Sequence, residues 1–389
     1  MLLICQLRSG PDEGGTTGLA ETRKLPLRLG LIGCGWVVEQ CHLPALHAVR
    51  NIEVVAVSDN DPVRLDKVAD RLGVRQRYSD YRAMLADRAV DAVAVCAPPQ
   101  FHLDMGLAVI DAGKHLFLEK PIALNLDDAD RLVESATRAA TKTMTGFNWR
   151  WHRLIRQSQR IVAGGELGTV VAIHSAFSSA TTYSASPSNW RNRDDLGGGV
   201  LFDLGIHHFD LWRFLLQCPV EEVFAKRSGE GSAYQCIVVT ASMANGALIT
   251  SSFSHDVSNI NEIEICGTKG RLSLSCYRPD SLRLRWNSAP AGAVRGWIDG
   301  AIAALRNAPR AASHLFNHGD VIESYRTEWR HFVEAVYNNS IMECDFEDGR
   351  NALRVTHAVL RSLSTGDAVR VAKSGESGAA IGTALPGSF

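Results

Sequence analysis

The run Leu27-Arg-Leu-Gly-Leu-Ile-Gly33-Cys-Gly35-Trp36-Val37-Val38 decides the fold. Apolar β-type text leads into a glycine turn, and the turn opens a helical pattern that runs through His47. Gly33 permits the tight turn and Gly35 lets the backbone approach a pyrophosphate, while the following helix N-terminus brings free N–H groups and partial positive charge. The third glycine of the dinucleotide fingerprint is Val38 here, a change that loosens helix-on-strand packing more than it touches the phosphate contact. A second strand at residues 53–57 closes on Asp59, 26 positions beyond Gly33. A carboxylate there accepts bonds from the adenosine ribose hydroxyls and repels a 2′-phosphate, so NAD is predicted over NADP, with Arg64 near enough to soften the preference.

Outward from this unit the alternation continues. A helix is predicted over 62–72, a strand over 91–97, a helix over 100–112, a strand over 114–120, a helix from 126 to about 139 and a strand over 141–147. Parallel strands joined by crossover helices make residues 27–147 an NAD-binding Rossmann domain. After Asn148 the pattern changes to a helix over 151–163 and then long β-rich segments (VVAIHSAF, CIVVTASM, ALITSSFSH, IEICGT, RLSLSC, LRLRW) separated by turn signals such as Asn245-Gly246. Two late helices, 324–337 and 347–364, complete an α+β domain, residues 148–372, with a large, mainly antiparallel open sheet. Residues 1–26 read as a disordered leader and 373–389 as a flexible tail. Residues 288–316, rich in Ala and Arg, read as a surface helix or loop.

Composition narrows the function. The 389 residues carry 41 Lys and Arg against 42 Asp and Glu, so there is no basic field for a nucleic acid or an acidic membrane. No apolar run approaches the length of a membrane span. Nine cysteines, an odd number without a C-x-x-C pair, suggest neither a disulfide framework nor structural zinc and fit a reducing cytoplasm.

Three motifs carry a more specific likeness: Ala97-Pro98-Pro99-x-x-His102, Gly113-Lys-His-Leu-Phe-Leu-Glu119-Lys120-Pro121, and GGGVLFDLGIHHFD over 197–210. In this order, with GTKGRLSL over 267–274, they resemble the glucose-fructose oxidoreductase and inositol dehydrogenase (Gfo/Idh/MocA) family. From chemistry alone, Lys120 ends a predicted parallel strand at the edge where ligands bind in open α/β sheets, a place suited to proton transfer in a desolvated cleft. Asp203 and His207 are four apart and should share one helical face. The resemblance implies that Lys120, Asp203 and His207 are catalytic, the lysine moving the substrate hydroxyl proton. It further places the cofactor against Gly33, Gly35, Trp36, Val37, Asp59, Arg64, Ala97, Pro98, His102, Glu119 and Lys120. Asn148, Arg150 and Trp151 at the domain junction, with Trp190 and Arg191 on a Ser-rich loop that also holds Tyr183, are expected at the substrate beside Asp203 and His207. A zinc set of His207, His208 and Asp210 is disfavoured, because adjacent histidines project apart on a helix and no third ligand is marked.

These readings point to hydride transfer between NAD(H) and a secondary alcohol of a sugar, cyclitol or related polyol. The alternatives are NAD-dependent glycoside cleavage through transient oxidation and elimination, and a non-catalytic cofactor-binding regulator. The resemblance also implies a homodimer or homotetramer assembled through the C-terminal sheet.

Overall fold

The computed structural model describes residues 25–180, 199–228, 236–278, 281–287 and 319–372. Six parallel strands form the first sheet: β1 (Leu27–Ile32), β2 (Ile52–Ser58), β3 (Gln76–Tyr78), β4 (Ala92–Val95), β5 (His115–Glu119) and β6 (Thr143–Gly146), in the order β3-β2-β1-β4-β5-β6. β4 is buried along its whole length and β5 in four of its five residues, as expected of strands covered on both faces. The order reverses between β2 and β4 on either side of β1, which opens a crevice at the carboxyl ends of the strands.

Gly33 lies in that crevice at φ 91°, and a Cβ built on it would lie 2.7 Å from the Cys96 carbonyl oxygen at the end of β4. Gly35 has open space where its Cβ would be. Gly33→Ala therefore meets both backbone strain and a clash, and is expected to cost about 2 kcal/mol or more in urea unfolding. A loss below about 0.5 kcal/mol would refute the tight approach. The helix after the turn is not continuous. Residues Val38–His42 are π-helical and Leu43–Leu46 α-helical, because Pro44 has no N–H to give the Gln40 carbonyl. Val38 is fully buried within the core cluster that holds Leu29 and Leu31.

Eight strands make the second sheet: β7 (Val170–Ser178), β8 (Val220–Arg227), β9 (Cys236–Met243), β10 (Leu248–Ser254), β11 (Ile260–Gly267), β12 (Gly270–Ser275), β13 (Arg283–Trp286) and β14 (Val369–Arg370), ordered β13-β12-β11-β7-β10-β9-β8-β14. Every pairing is antiparallel except β7 with β10. Burial alternates along β9, β10 and β11, so one face is core and the other outward. Helix Ile206–Leu216, buried at ten of its eleven positions, covers the core face with Phe209 and Trp212.

The late helices start earlier than their apolar spacing suggests, at Gly319 and Phe346. Helix Gly319–Asn338 packs on the first sheet, where Trp329 stacks on Phe117 of β5 at 4.4 Å. Helix Phe346–Thr365 reaches both sheets, with Phe346 and Leu353 beside Leu116 and Leu118, and Val355 and Val359 beside Val223 and Ile237. No described helix is long and apolar enough to cross a membrane.

Candidate active site

A cleft of about 1260 Å³ runs along the carboxyl edge of the first sheet to the core face of the second. Gly33, Gly35, Trp36 and Val37 line its middle, Asp59 and Arg64 one end, and Ala97, Pro98, Glu119, Lys120, Asn148, Asp203 and His207 the other.

At the first end the Asp59 carboxylate is held on every side. It accepts the Cys34 N–H at 2.7 Å, the Asp61 N–H at 2.8 Å and the Arg64 guanidinium at 2.9 Å. Burial pushes this carboxyl up, but the Arg64 bond and the two backbone N–H groups outweigh it, so its pKa lies below the usual range. The charge is thus present at neutral pH, beside open space at Gly35 for a pyrophosphate. Glycine turn, helix start and acid together fit a dinucleotide.

At the other end, Lys120 Nζ donates to the Asp203 carbonyl oxygen at 2.7 Å and to Asp203 Oδ1 at 3.1 Å. Asp203 belongs to a π-helical segment, Leu201–Gly205, which turns into the helix that carries His207. Its second oxygen, Oδ2, lies 3.2 Å from His255 Nε2. His255 carried no motif of its own; its place beside Asp203 follows from β10, whose last residue precedes it. His207 is 7% exposed, and its Nδ1 has no hydrogen-bond partner among the described residues. Burial first, then the Lys120 charge, hold its pKa well below the ordinary imidazole value, so it is neutral. Nδ1 itself is sealed from the cleft, so what His207 presents there is the rest of its neutral ring.

The remaining expected residues separate into groups. Asn148 lines the cleft and donates to Ser324 Oγ at 3.2 Å; neighbouring Trp149 also lines it, in edge contact with Phe177 and Tyr277. His102 does not line it. Its two ring nitrogens lie 2.7 and 2.9 Å from the Pro121 and Ala97 carbonyl oxygens, tying together the chain ends after β4 and β5. Arg150 is buried away from the cleft, where its guanidinium bonds Asp210 through two nitrogens and Asp348 at 2.8 Å. Trp151 packs into the first sheet's core and stacks on His331. Tyr183, Trp190 and Arg191 lie outside the described residues. Of the disfavoured zinc set, Asp210 is taken by Arg150, and His208 bridges Ser175 Oγ at 3.0 Å and Asn261 Oδ1 at 3.1 Å.

His208 gives a pH prediction. Burial pushes its pKa down to about 4, so the unfolded chain binds a proton that the folded chain refuses. The stability this provides is complete above the unfolded value near 6.5 and is lost as pH falls toward 4, by about 3 kcal/mol. His208→Asn should flatten the fall in Tm between pH 7 and pH 4.5. An unchanged slope would assign the acid lability elsewhere.

A chain whose six-stranded parallel sheet carries a dinucleotide crevice facing a Lys, Asp and His constellation belongs among the Rossmann-type oxidoreductases. Residues 27–147 match the model described as oxidoreductase family, NAD-binding Rossmann fold, and residues 155–273 the GFO/IDH/MocA C-terminal domain. The chain belongs to the Gfo/Idh/MocA family. Myo-inositol 2-dehydrogenase of Thermotoga maritima is 28% identical over 354 residues, 89% of this chain and 98% of its own. D-xylose 1-dehydrogenase (NADP(+)) 2 of Haloferax volcanii is 28% identical over 350 residues, covering 89% and 100%. The crystal structure of a probable dehydrogenase from Thermotoga maritima aligns with a TM-score of 0.72 at 26% identity, covering 89% of this chain and 99% of that one.

Proposed function

We propose that this protein is an NAD(H)-dependent dehydrogenase that interconverts a secondary alcohol and a ketone on a sugar, cyclitol or related polyol. The observation that carries the reading is the Lys120–Asp203 pair beside buried, neutral His207 at the end of a dinucleotide cleft. Relatives named as inositol and xylose dehydrogenases, aligned over nearly their whole lengths, support it. Bound NAD(H) supplies the hydride acceptor or donor. In the oxidising direction Lys120, as the free amine, takes the hydroxyl proton as the carbinol hydride leaves, Asp203 orients the ammonium that results, and the neutral imidazole of His207 lies beside the reacting oxygen. The aromatic faces of Trp149 and Tyr277 suit a polyol ring.

The division into an NAD-binding unit, 27–147, and a substrate unit, 148–372, belongs to this proposal. So do a cytoplasmic location and a homo-oligomer built on the outward face of the second sheet, where Val171, Val238 and Leu248 are exposed. The test of function is NADH absorbance during a screen of polyols and sugars with NAD+. Release of a leaving group without NADH would favour transient oxidation and elimination instead.

The Haloferax relative is named for NADP(+), and in this chain the choice rests on Asp59 at the adenosine end of the cleft. NADH is expected to bind at least about tenfold tighter than NADPH, because a 2′-phosphate meets the Asp59 carboxylate. Fluorescence titration of both cofactors measures this, and tighter NADPH would overturn the assignment.

A further inference from the structure

Glu119 joins the cleft to a buried hydrogen-bond chain that proton transfer at Lys120 does not use. Its Oε2 accepts the Lys120 backbone N–H at 3.1 Å, and its Oε1 lies 2.9 Å from Nε2 of His42, which has no exposed surface. The other ring nitrogen, His42 Nδ1, lies 3.1 Å from Trp329 Nε1 on helix Gly319–Asn338. An indole nitrogen can only donate. Nδ1 must therefore keep its lone pair, the single ring proton must sit on Nε2, and that proton is donated to Glu119. An imidazolium would set an N–H against the indole N–H. Trp329 thus locks His42 as a neutral imidazole, so the partner of Glu119 cannot cancel its charge.

The surroundings do not cancel it either. Lys120 Nζ is committed to Asp203. Glu328, buried and without a hydrogen-bond partner among the described residues, has its pKa pushed well up by burial and by Glu119, and Tyr325 is pushed up by burial, so both are neutral. Both Glu119 oxygens accept N–H bonds, one from His42 and one from the Lys120 backbone, the pattern of a carboxylate, and neither of these donors is a cation.

We propose that the Glu119 carboxylate, kept uncompensated by a histidine that Trp329 locks neutral, matches the cleft to the oxidised nicotinamide and biases the protein toward alcohol oxidation. The inference rests on the dehydrogenase reading above. A dinucleotide with its adenosine at Asp59 and its pyrophosphate at Gly33 and Gly35 extends its nicotinamide toward β4 and β5, the side that carries Glu119. The ring is positive in NAD+ and neutral in NADH. A carboxylate in a partly desolvated wall therefore favours the first.

The test is the ratio Kd(NADH)/Kd(NAD+), with NADH followed by its fluorescence and NAD+ by competition against it. Wild type should bind NAD+ at least as tightly as NADH. Glu119→Gln should lower the ratio about tenfold by removing the charge while keeping the amide's bonds. His42→Gln, which substitutes one neutral donor for another, should leave the ratio within about twofold. The proposal is overturned if wild type binds NADH about tenfold tighter than NAD+, a measurement that needs no variant. It is also overturned if folded Glu119→Gln keeps the wild-type ratio, or if His42→Gln shifts it strongly toward NAD+, which would mean that the histidine carried a charge. A protein that binds neither cofactor removes the dehydrogenase reading and this inference together. Binding of both with an insensitive ratio removes the inference alone.

Discussion

Lys120→Met is expected to lower kcat by about 10³-fold while NADH binding stays close to wild type. The side chain is about as long and fills the same space, but it can neither bond Asp203 nor carry a proton. The lysine's two bonds both end on Asp203, so the pyrophosphate and ribose ends of the cleft are left untouched by the change. NAD+ should bind the variant no more weakly than wild type, because a positive charge has left the nicotinamide end. Steady-state turnover with the best polyol substrate, beside fluorescence titration of NADH, separates the outcomes. Turnover within about tenfold of wild type would remove Lys120 from the chemistry. Lost turnover with lost cofactor binding would make it a structural residue.

The second large effect lies outside the cleft. Arg150→Met should destabilise the protein by about 3–5 kcal/mol, because it strands Asp210 in a buried site built around the guanidinium, while the partly exposed Asp348 keeps Arg213 at 3.4 Å. Asp210 is 1% exposed and cannot turn to water. The corresponding fall in Tm is about 10 °C. Arg150→Lys keeps the charge but not the fork of donors, and should fall between the two. A variant with wild-type Tm and a raised KM for the polyol would return Arg150 to the substrate site where its neighbours in sequence had suggested it.

That contrast shows what the sequence does and does not encode locally. The glycine turn, the acid after β2 and the lysine after β5 were legible because each is set by a short run of residues around one strand end. The shared face of Asp203 and His207 was legible from their spacing, and their place beside Lys120 from the family resemblance, although the turn of helix that holds Asp203 is π-helical. Arg150 was not, since its partners lie 60 and 198 positions away and nothing nearby marks a buried ion pair. For the same reason Trp329, 287 positions from His42, gave no signal as the residue that fixes the histidine's proton. His255 could only be found once β10 had brought it to Asp203. Among the strands, β3, β8 and β14 were missed: three and two residues give no readable alternation, and in β8 the charged pairs Glu221-Glu222 and Lys226-Arg227 interrupt it. The parallel pairing of β7 with β10 was missed because parallel and antiparallel neighbours share the same period of two.

Hydride transfer from a carbinol carbon is the central claim, and isotope transfer tests it most directly. The protein is mixed with NAD+ and a polyol substrate deuterated at the reacting carbon, and the reduced cofactor is isolated and weighed by mass spectrometry. The account predicts NADH that carries the deuterium, formed one for one with ketone, and none from the Lys120→Met protein. Product formed while the cofactor stays oxidised and free of deuterium would contradict it.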